Sequence, residues 1–204
     1  MIVDEAKKMK LIQVAKINSG YPFRGKIPEV VDADAIAVQM KDVSPRKGIN
    51  WSTCLKTRLK GRCTPDWLRV GDILFAARGS HNDAVLVSEL PALTLIQAVA
   101  APHFYVIRCV DQAVLPEYLA WLLNQGPCQQ YFEQQAEGSL TKSIRRSVLE
   151  NTPIVIPPLK KQQAIIRLAS MLQQEHDYLE QLIQNGKNLL KIIFTDLFKK
   201  DPIQ

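Results

Sequence analysis

The chain has 204 residues, 26 Lys+Arg against 20 Asp+Glu, and a formal net charge of +6. With 47% hydrophobic and 23% charged residues it can bury a core, which excludes disordered, collagen-like and low-complexity chains. The basic excess favours an anionic partner such as nucleic acid. No apolar run reaches the roughly 18 residues that span a bilayer, and residues 1–20 lack a secretory signal, so a cytoplasmic protein with no membrane partner is expected.

Residues 11–17 (LIQVAKI) alternate loosely, as a strand does, and end at Asn18-Ser19-Gly20, a turn cluster. Residues 20–25 (GYPFRG) hold two glycines and a proline, so a constrained loop follows. Residues 35–40 (AIAVQM) are apolar and β-capable, and the polar run 41–50 breaks the strand. Gly71-Asp72 is a turn, residues 73–77 (ILFAA) read as a buried strand, and residues 78–83 (RGSHND) form a polar loop at its end. Residues 84–88 and 104–110 are further strands.

The texture changes after residue 115. Residues 116–124 have helical spacing, with Pro116 suited to a first turn and Gly126-Pro127 as the stop. Residues 128–136 read as a second helical piece, 137–142 as a polar, basic loop, and 143–150 as a short helix opened by Ser143. Residues 154–156 are a brief strand before Pro157-Pro158. From about 159 to 199 the pattern is one long helix. Its apolar series Ile165, Leu168, Leu172, Leu179, Leu182, Leu189, Ile193 recurs by sevens, as in a coiled-coil seam. About 40 residues of helix would reach roughly 60 Å, too far for one small domain to cover the stripe. The alternative is two ordinary helices joined at Asn185-Gly186. The fold class is therefore α+β: a mixed β domain with short helices over residues 1–158, then a long coiled-coil-type helix over 159–204.

Charge is concentrated. Segment 41–69 holds Lys41, Arg46, Lys47, Lys56, Arg58, Lys60, Arg62 and Arg69 against only Asp42 and Asp66. Lys142, Arg145 and Arg146 form a second cluster among Gly138, Ser139, Thr141 and Ser143. Lys/Arg with small polar residues at a loop-to-helix junction suit phosphate contact. Base edges are read by Arg, Lys, Asn and Gln held rigidly in a groove. Arg24 and Lys26 beside the Gly/Pro loop, Gln39 and Lys41 at a strand end, and Arg78, Ser80, His81 and Asn82 after the buried strand are the candidate base or phosphate contacts.

Catalysis has little support: no GxSxG, Walker or dinucleotide loop is present. Asp72 and Asp83 are isolated acids in turns and read as turn formers. Cys54, Cys63, Cys109 and Cys128 lack zinc-site spacing and read as reduced thiols. No catalytic residue, metal or cofactor is expected on the chain itself. Two other readings stand beside DNA binding. A small nuclease would use Asp72 and Asp83 for Mg²⁺, and a coiled-coil adaptor would leave its basic face merely solvated. RNA binding gains little from an aromatic share of 7%.

Four stretches in this order resemble one half of the DNA-specificity subunit of Type I restriction-modification systems. They are residues 11–25 (LIQVAKINSGYPFRG), 36–49 (IAVQMKDVSPRKGI), 70–79 (VGDILFAARG) and 138–166 (GSLTKSIRRSVLENTPIVIPPLKKQQAII). The last is the most specific, although the family's common Glu-Gln pair stands here as Gln162-Gln163. The resemblance implies a DNA target-recognition domain over residues 1–158. The helix over 159–204 would serve dimerisation and spacing. It also implies double-stranded DNA as ligand and partner methyltransferase (modification) subunits that flip and methylate adenine with S-adenosylmethionine. A restriction nuclease subunit can join. Ser139, Thr141, Lys142 and Arg145 would grip the backbone, and Ile165, Leu172, Leu179, Leu182, Leu189 and Ile193 would carry helix pairing. A full-length family member has two recognition domains, and this chain has room for one. It either dimerises through the helix to read a symmetric split site or works as a single module of another phage-defence complex; the dimer is preferred.

Overall fold

The computed structural model describes residues 6–59, 63–79, 81–91, 96–138 and 142–200. Among them the strands are β1 (Lys7–Lys10), β2 (Ala15–Ser19), β3 (Ala35–Val38), β4 (Val43–Ser44), β5 (Gly48–Ile49), β6 (Leu55–Thr57), β7 (Ile73–Ala76), β8 (Arg78–Gly79), β9 (Ala84–Leu86), β10 (Gln97–Ala100), β11 (Phe104–Cys109), β12 (Lys142–Ser143) and β13 (Pro153–Ile156). The helices are α1 (Pro116–Leu123), α2 (Gly126–Gln135), α3 (Arg146–Glu150) and α4 (Leu159–Lys200). The class is α+β. The chain divides into two compact units, Met1–Gln163 and Ala164–Gln204, so the first turn of α4 belongs to the N-terminal unit.

Two sheets build the N-terminal unit. One is β2-β11-β7-β9, antiparallel throughout; the other is β10-β3-β6, with β10 parallel and β6 antiparallel to β3. Strand alternation explains why the run ILFA is apolar on every residue. Leu74 and Ala76 join Ile36, Val38, Ala98, Ala100, Phe104 and Val106 in one core cluster. Phe75 packs edge-on against Phe132 of α2, ring centroids 4.9 Å apart. Asn124 fastens α1 to β9: its carbonyl accepts from the Ala84 N–H at 2.9 Å and its amide donates to the Ala84 carbonyl at 2.7 Å.

Asn18 and Ser19 of the expected turn are strand instead. Asn18 and Ser19 pair with Val106 and Tyr105, and the Gly20 N–H donates to the Phe104 carbonyl at 2.9 Å. Gly20 is required by close approach, because a Cβ there would overlap the Ala101 carbonyl. Gly126-Pro127, expected to stop α1, instead opens α2, with Pro in the first turn where its missing N–H costs nothing. The helix expected over 143–150 begins only at Arg146, because Lys142 and Ser143 pair as β12 with Gly79 and Arg78.

A partly buried ionic network braces β11. Arg108 donates to both Asp72 carboxylate oxygens at 2.7 Å and to Asp66 at 3.1 Å, and Asn18 donates to Asp66 at 2.7 Å. Asp72, only 1% exposed, is thus a turn former and an ion-pair partner at once, and it also accepts from the Arg69 N–H at 2.9 Å. Burial alone would raise the Asp66 carboxyl. The hydrogen bonds from Asn18 and Arg108, with the charges of Arg108 and Arg69, hold it below the usual carboxylate range.

The start of α4 is locked into the N-terminal unit by Gln162, which is fully buried. Its carbonyl accepts from the Leu115 N–H at 2.9 Å, and its amide donates to the Ala113 and Pro157 carbonyls at 2.7 Å each. Every polar atom of the buried amide is satisfied, which removes the cost of burying it. Beyond Gln163 the helix runs without interruption through Asn185-Gly186, so the two-helix alternative is set aside. No helix among the described residues is long and apolar enough to cross a membrane.

Candidate nucleic-acid interface

Strand pairing brings together candidate residues that are far apart in sequence. Lys142 lies opposite Gly79 and Ser143 opposite Arg78. The Ile144 N–H extends the contact to the Ala77 carbonyl at 2.9 Å, and Ser143 also bridges to Glu137. A third segment joins them: a Cβ placed on Gly79 would meet the Met40 methyl at 3.5 Å, so Gln39-Met40-Lys41 borders the same junction. The glycine is needed there for its backbone: its φ is +145°, a conformation other residues rarely adopt, whereas a Cβ would make only an ordinary contact with Met40. Around this junction Lys41, Arg78, His81 and Arg145 are exposed, and Gln39 and Lys142 are half-buried.

Arg24 and Lys26 are exposed in a loop anchored elsewhere. That loop is tied down by the Tyr21 N–H to the Ala100 carbonyl at 2.8 Å, by Ile27 packing on the core cluster, and by the Val30 N–H to the Lys56 carbonyl at 3.0 Å. Ser80, Ser139 and Thr141 lie outside the described residues. Asn82 requires a correction. It is 5% exposed, and its amide donates to the Ala76 carbonyl at 2.9 Å. It holds the loop after β7 in shape and leaves His81 and Arg78 on the surface. Gln39 has its side-chain nitrogen buried without a hydrogen-bond partner.

The second basic cluster is not a set of free cations. Lys142 pairs with Glu133 at 2.8 Å, Arg145 with Glu137 at 2.9 Å and Arg146 with Glu150 at 2.7 Å. Sequence reasoning gave these acids no role. The Arg146–Glu150 pair has i,i+4 spacing and was legible; Glu133 and Lys142 meet only through the tertiary fold. The hydrogen bond and charge of Lys142 hold the exposed Glu133 carboxyl below its ordinary value. Exposed pairs of this kind are weak in water and are readily exchanged for another anion.

Three of the four thiols are shielded, and Cys63 is exposed. Cys128 is buried and Cys54 and Cys109 are half-buried. Burial pushes Cys54 up to about 12, with Asp42 adding to the shift against Lys41, and pushes Cys109 and Cys128 up to about 11. Among the described residues no grouping of His, Cys, Asp or Glu suits a metal ion.

The helix presents the opposite surface chemistry. Leu168, Leu172, Leu179, Leu182, Leu189 and Ile193 are all exposed, as are Met171, Tyr178, Ile183, Leu190, Ile192, Phe194, Leu197 and Phe198. Ile165 is half-buried. Solvent-facing apolar surface of this extent is unusual for an isolated chain.

The molecule thus joins a sheet-built unit with exposed cations at a strand junction to a long helix with a bare apolar stripe. Solved structures share the fold. The chain matches the specificity subunit of a Type I restriction-modification system from M. genitalium at TM-score 0.60 and 16% identity, over 99% of this chain and 48% of that one. It matches a chain from a structure described as the basis of complex assembly and conformational transition of the type I R-M system at TM-score 0.68 and 17% identity, over 98% and 46%. The HsdS subunit from Thermoanaerobacter tengcongensis matches at TM-score 0.60 and 18% identity, over 98% and 51%. The chain thus spans about half the length of the solved structures it resembles. No curated protein matches the sequence. The model of the Type I restriction modification DNA specificity domain matches residues 68–186, more than half of the chain, and the protein belongs to that family.

Proposed function

We propose that this protein is a half-length specificity subunit. It binds a defined duplex sequence through the N-terminal unit and pairs with a second copy through α4. In this way it directs partner adenine methyltransferase subunits to the target. The observation that carries the reading is the Gly79 junction, where β8 and β12 set Arg78, His81, Lys142 and Arg145 beside the Gln39–Lys41 segment. Phosphate contacts fix the register of a protein on DNA and base-edge contacts specify sequence; the junction offers residue types for both. The chain itself performs no chemistry on this reading. S-adenosylmethionine belongs to the methyltransferase, and a restriction nuclease is a further partner of the assembled complex.

The test is co-purification with the neighbouring methyltransferase and methylation mapping of host DNA with and without this chain. The expected result is one modified motif that disappears on deletion, palindromic and split if two copies act together. Unchanged methylation would overturn the reading. One observation favours a second reading, an adaptor without DNA: the cations of residues 142–146 are each paired with a carboxylate. An adaptor has no salt-dependent duplex affinity, whereas DNA binding weakens steeply as salt rises.

A further inference from the structure

A further group of cations lies beyond α3 from the Gly79 junction and, unlike the cluster at 142–146, is not neutralised. Lys7, Lys8 and Lys10 are exposed on β1, and Lys160 and Lys161 are exposed in the first turn of α4. All five belong to the N-terminal unit. The strand register brings the two sets together: Lys7 lies opposite Ile156, and only Pro157, Pro158 and Leu159 separate Ile156 from Lys160. Lys8 and Lys10 lie opposite Val155 and Pro153, the exposed residues of β13, so they stand on the open face of the two-stranded sheet, about 7 Å apart. Among the described residues no carboxylate pairs with any of the five. Lys10 donates to the neutral Asn151 amide oxygen at 2.9 Å. Asp4 and Glu5, the nearest acids before β1 in sequence, lie outside the described residues.

Local structure does not account for these lysines. An open strand edge is often guarded by lysine, which would explain β1 but not a helix. The first turn of a helix disfavours cations, because the macrodipole is positive there, yet α4 has two lysines and no acid in that turn. Like charges held together without counter-charges fit a partner that supplies the anions. The residue type narrows the choice. All five are Lys, a flexible point charge, and none is Arg, whose rigid fork reads base edges and carboxylates at two points. That chemistry suits a row of phosphates contacted without regard to sequence.

We propose that Lys7, Lys8, Lys10, Lys160 and Lys161 form a second contact surface for the phosphate backbone of the duplex, on DNA flanking the bases read at the junction. This rests on the DNA-binding reading above and adds a surface to it. The path between the two surfaces is short and continuous. Arg145 borders the junction, and α3 carries the chain from there to Asn151 in about 9 Å. Asn151 holds the Lys10 ammonium, and β1 then spans about 10 Å to Lys7. The cations therefore follow the junction along β1 to the start of α4. Together α3 and β1 give a path no longer than about 19 Å, which about six base pairs of duplex match.

The experiment uses the full chain and a fluorescein-labelled duplex of mixed sequence, with binding followed by anisotropy over a range of NaCl concentrations. Lys7→Ala with Lys8→Ala, and separately Lys160→Ala with Lys161→Ala, remove exposed side chains that the fold does not need. Each pair is expected to weaken binding about tenfold and to lower the slope of log affinity against log salt by about two. Lys187→Ala with Lys191→Ala removes the same charge from exposed positions far along α4 and is expected to leave the slope unchanged. An equal loss in that control would reduce the effect to net charge and overturn the surface. Parent-like binding by both lysine pairs would overturn it directly. Retained duplex affinity with lost co-purification of the methyltransferase would make the patch a protein-docking face and overturn its assignment to phosphate. On a duplex carrying the methylated motif, target and unrelated sequence are expected to weaken equally, and a relaxed preference at one base would contradict a backbone role. If the unsubstituted chain shows no salt-dependent affinity at all, the DNA-binding reading fails first.

Discussion

The two units of this protein spend their apolar residues in opposite ways. In the N-terminal unit most of the large apolar side chains are buried, with exceptions such as Ile12 and Leu90: Ile73, Leu74 and Phe75 are 0% exposed, and the polar network around Arg108 is closed by its own carboxylates. In α4 beyond Gln163 the same residue types face water, Leu182 at 66% and Phe198 at 72% exposed. One unit closes its apolar core within itself and leaves charges on its surface. The other leaves its apolar stripe bare. A substitution should therefore fail differently in each: through stability in the first, through association in the second.

The sharpest way to test that contrast is Phe75→Ala. It removes the ring packed on Phe132 and is expected to cost about 4 kcal/mol of stability, seen as a large fall in the melting temperature. Asp72→Ala follows. It leaves the Arg108 guanidinium short of its two-oxygen partner and is expected to cost about 3 kcal/mol, read from urea unfolding. Leu179→Asp puts a charge in the centre of the stripe and should weaken self-association by about 2 kcal/mol, measured by sedimentation. The melting temperature of the N-terminal unit should not change; a fall there would break the division between the units.

Smaller effects probe the charged surface. Lys142→Ala should weaken duplex binding by about 1 kcal/mol and lower the salt slope by about one, equally across a panel of sequences. A true base reader, with Arg78 and His81 the first to test, relaxes one position by about 1–3 kcal/mol. Uniform losses for every substitution would argue against sequence reading. The smallest expected effect is acid sensitivity. The Asp66 carboxyl is held below its ordinary value in the fold, so the stability it contributes is present above the unfolded value near 4. It is lost as pH falls through the lower folded value. Asp66→Asn should flatten that limb of a stability-against-pH curve.

Much of the fold was legible because it rests on local pattern. The run ILFA reads as a strand covered on both faces, and the heptad series marks α4. The errors came where a distant partner overrode a local signal. Asn18-Ser19-Gly20 has turn composition, but β11 supplies hydrogen bonds that keep Asn18 and Ser19 in the sheet. Ser143 has a helix-capping side chain, but Arg78 claims its backbone as strand. The candidate site was legible as a set of residue types and illegible as a surface. Asn82 and His81 are neighbours with the same apparent claim on a base, yet the path of the chain after β7 turns Asn82 inward to Ala76 and leaves His81 outside. The acids that pair with Lys142 and Arg145 were overlooked for the same reason: nothing in their spacing announces them.

What the sequence determined by itself was local pattern: short apolar runs for the buried strands, a sevenfold stripe for the helix, and an excess of basic residues between positions 41 and 69. Periodicity needs only the geometry of a single element, so it can be read without knowing its neighbours. Which loops meet was decided by tertiary structure alone. The β8–β12 pairing makes one junction from Arg78, His81 and Lys142, Met40 borders it beside Gly79, and the fold hands Glu133 and Glu137 to the cations beside it. Such contacts depend on the register of strands remote in the chain, and register is set by the burial of whole faces.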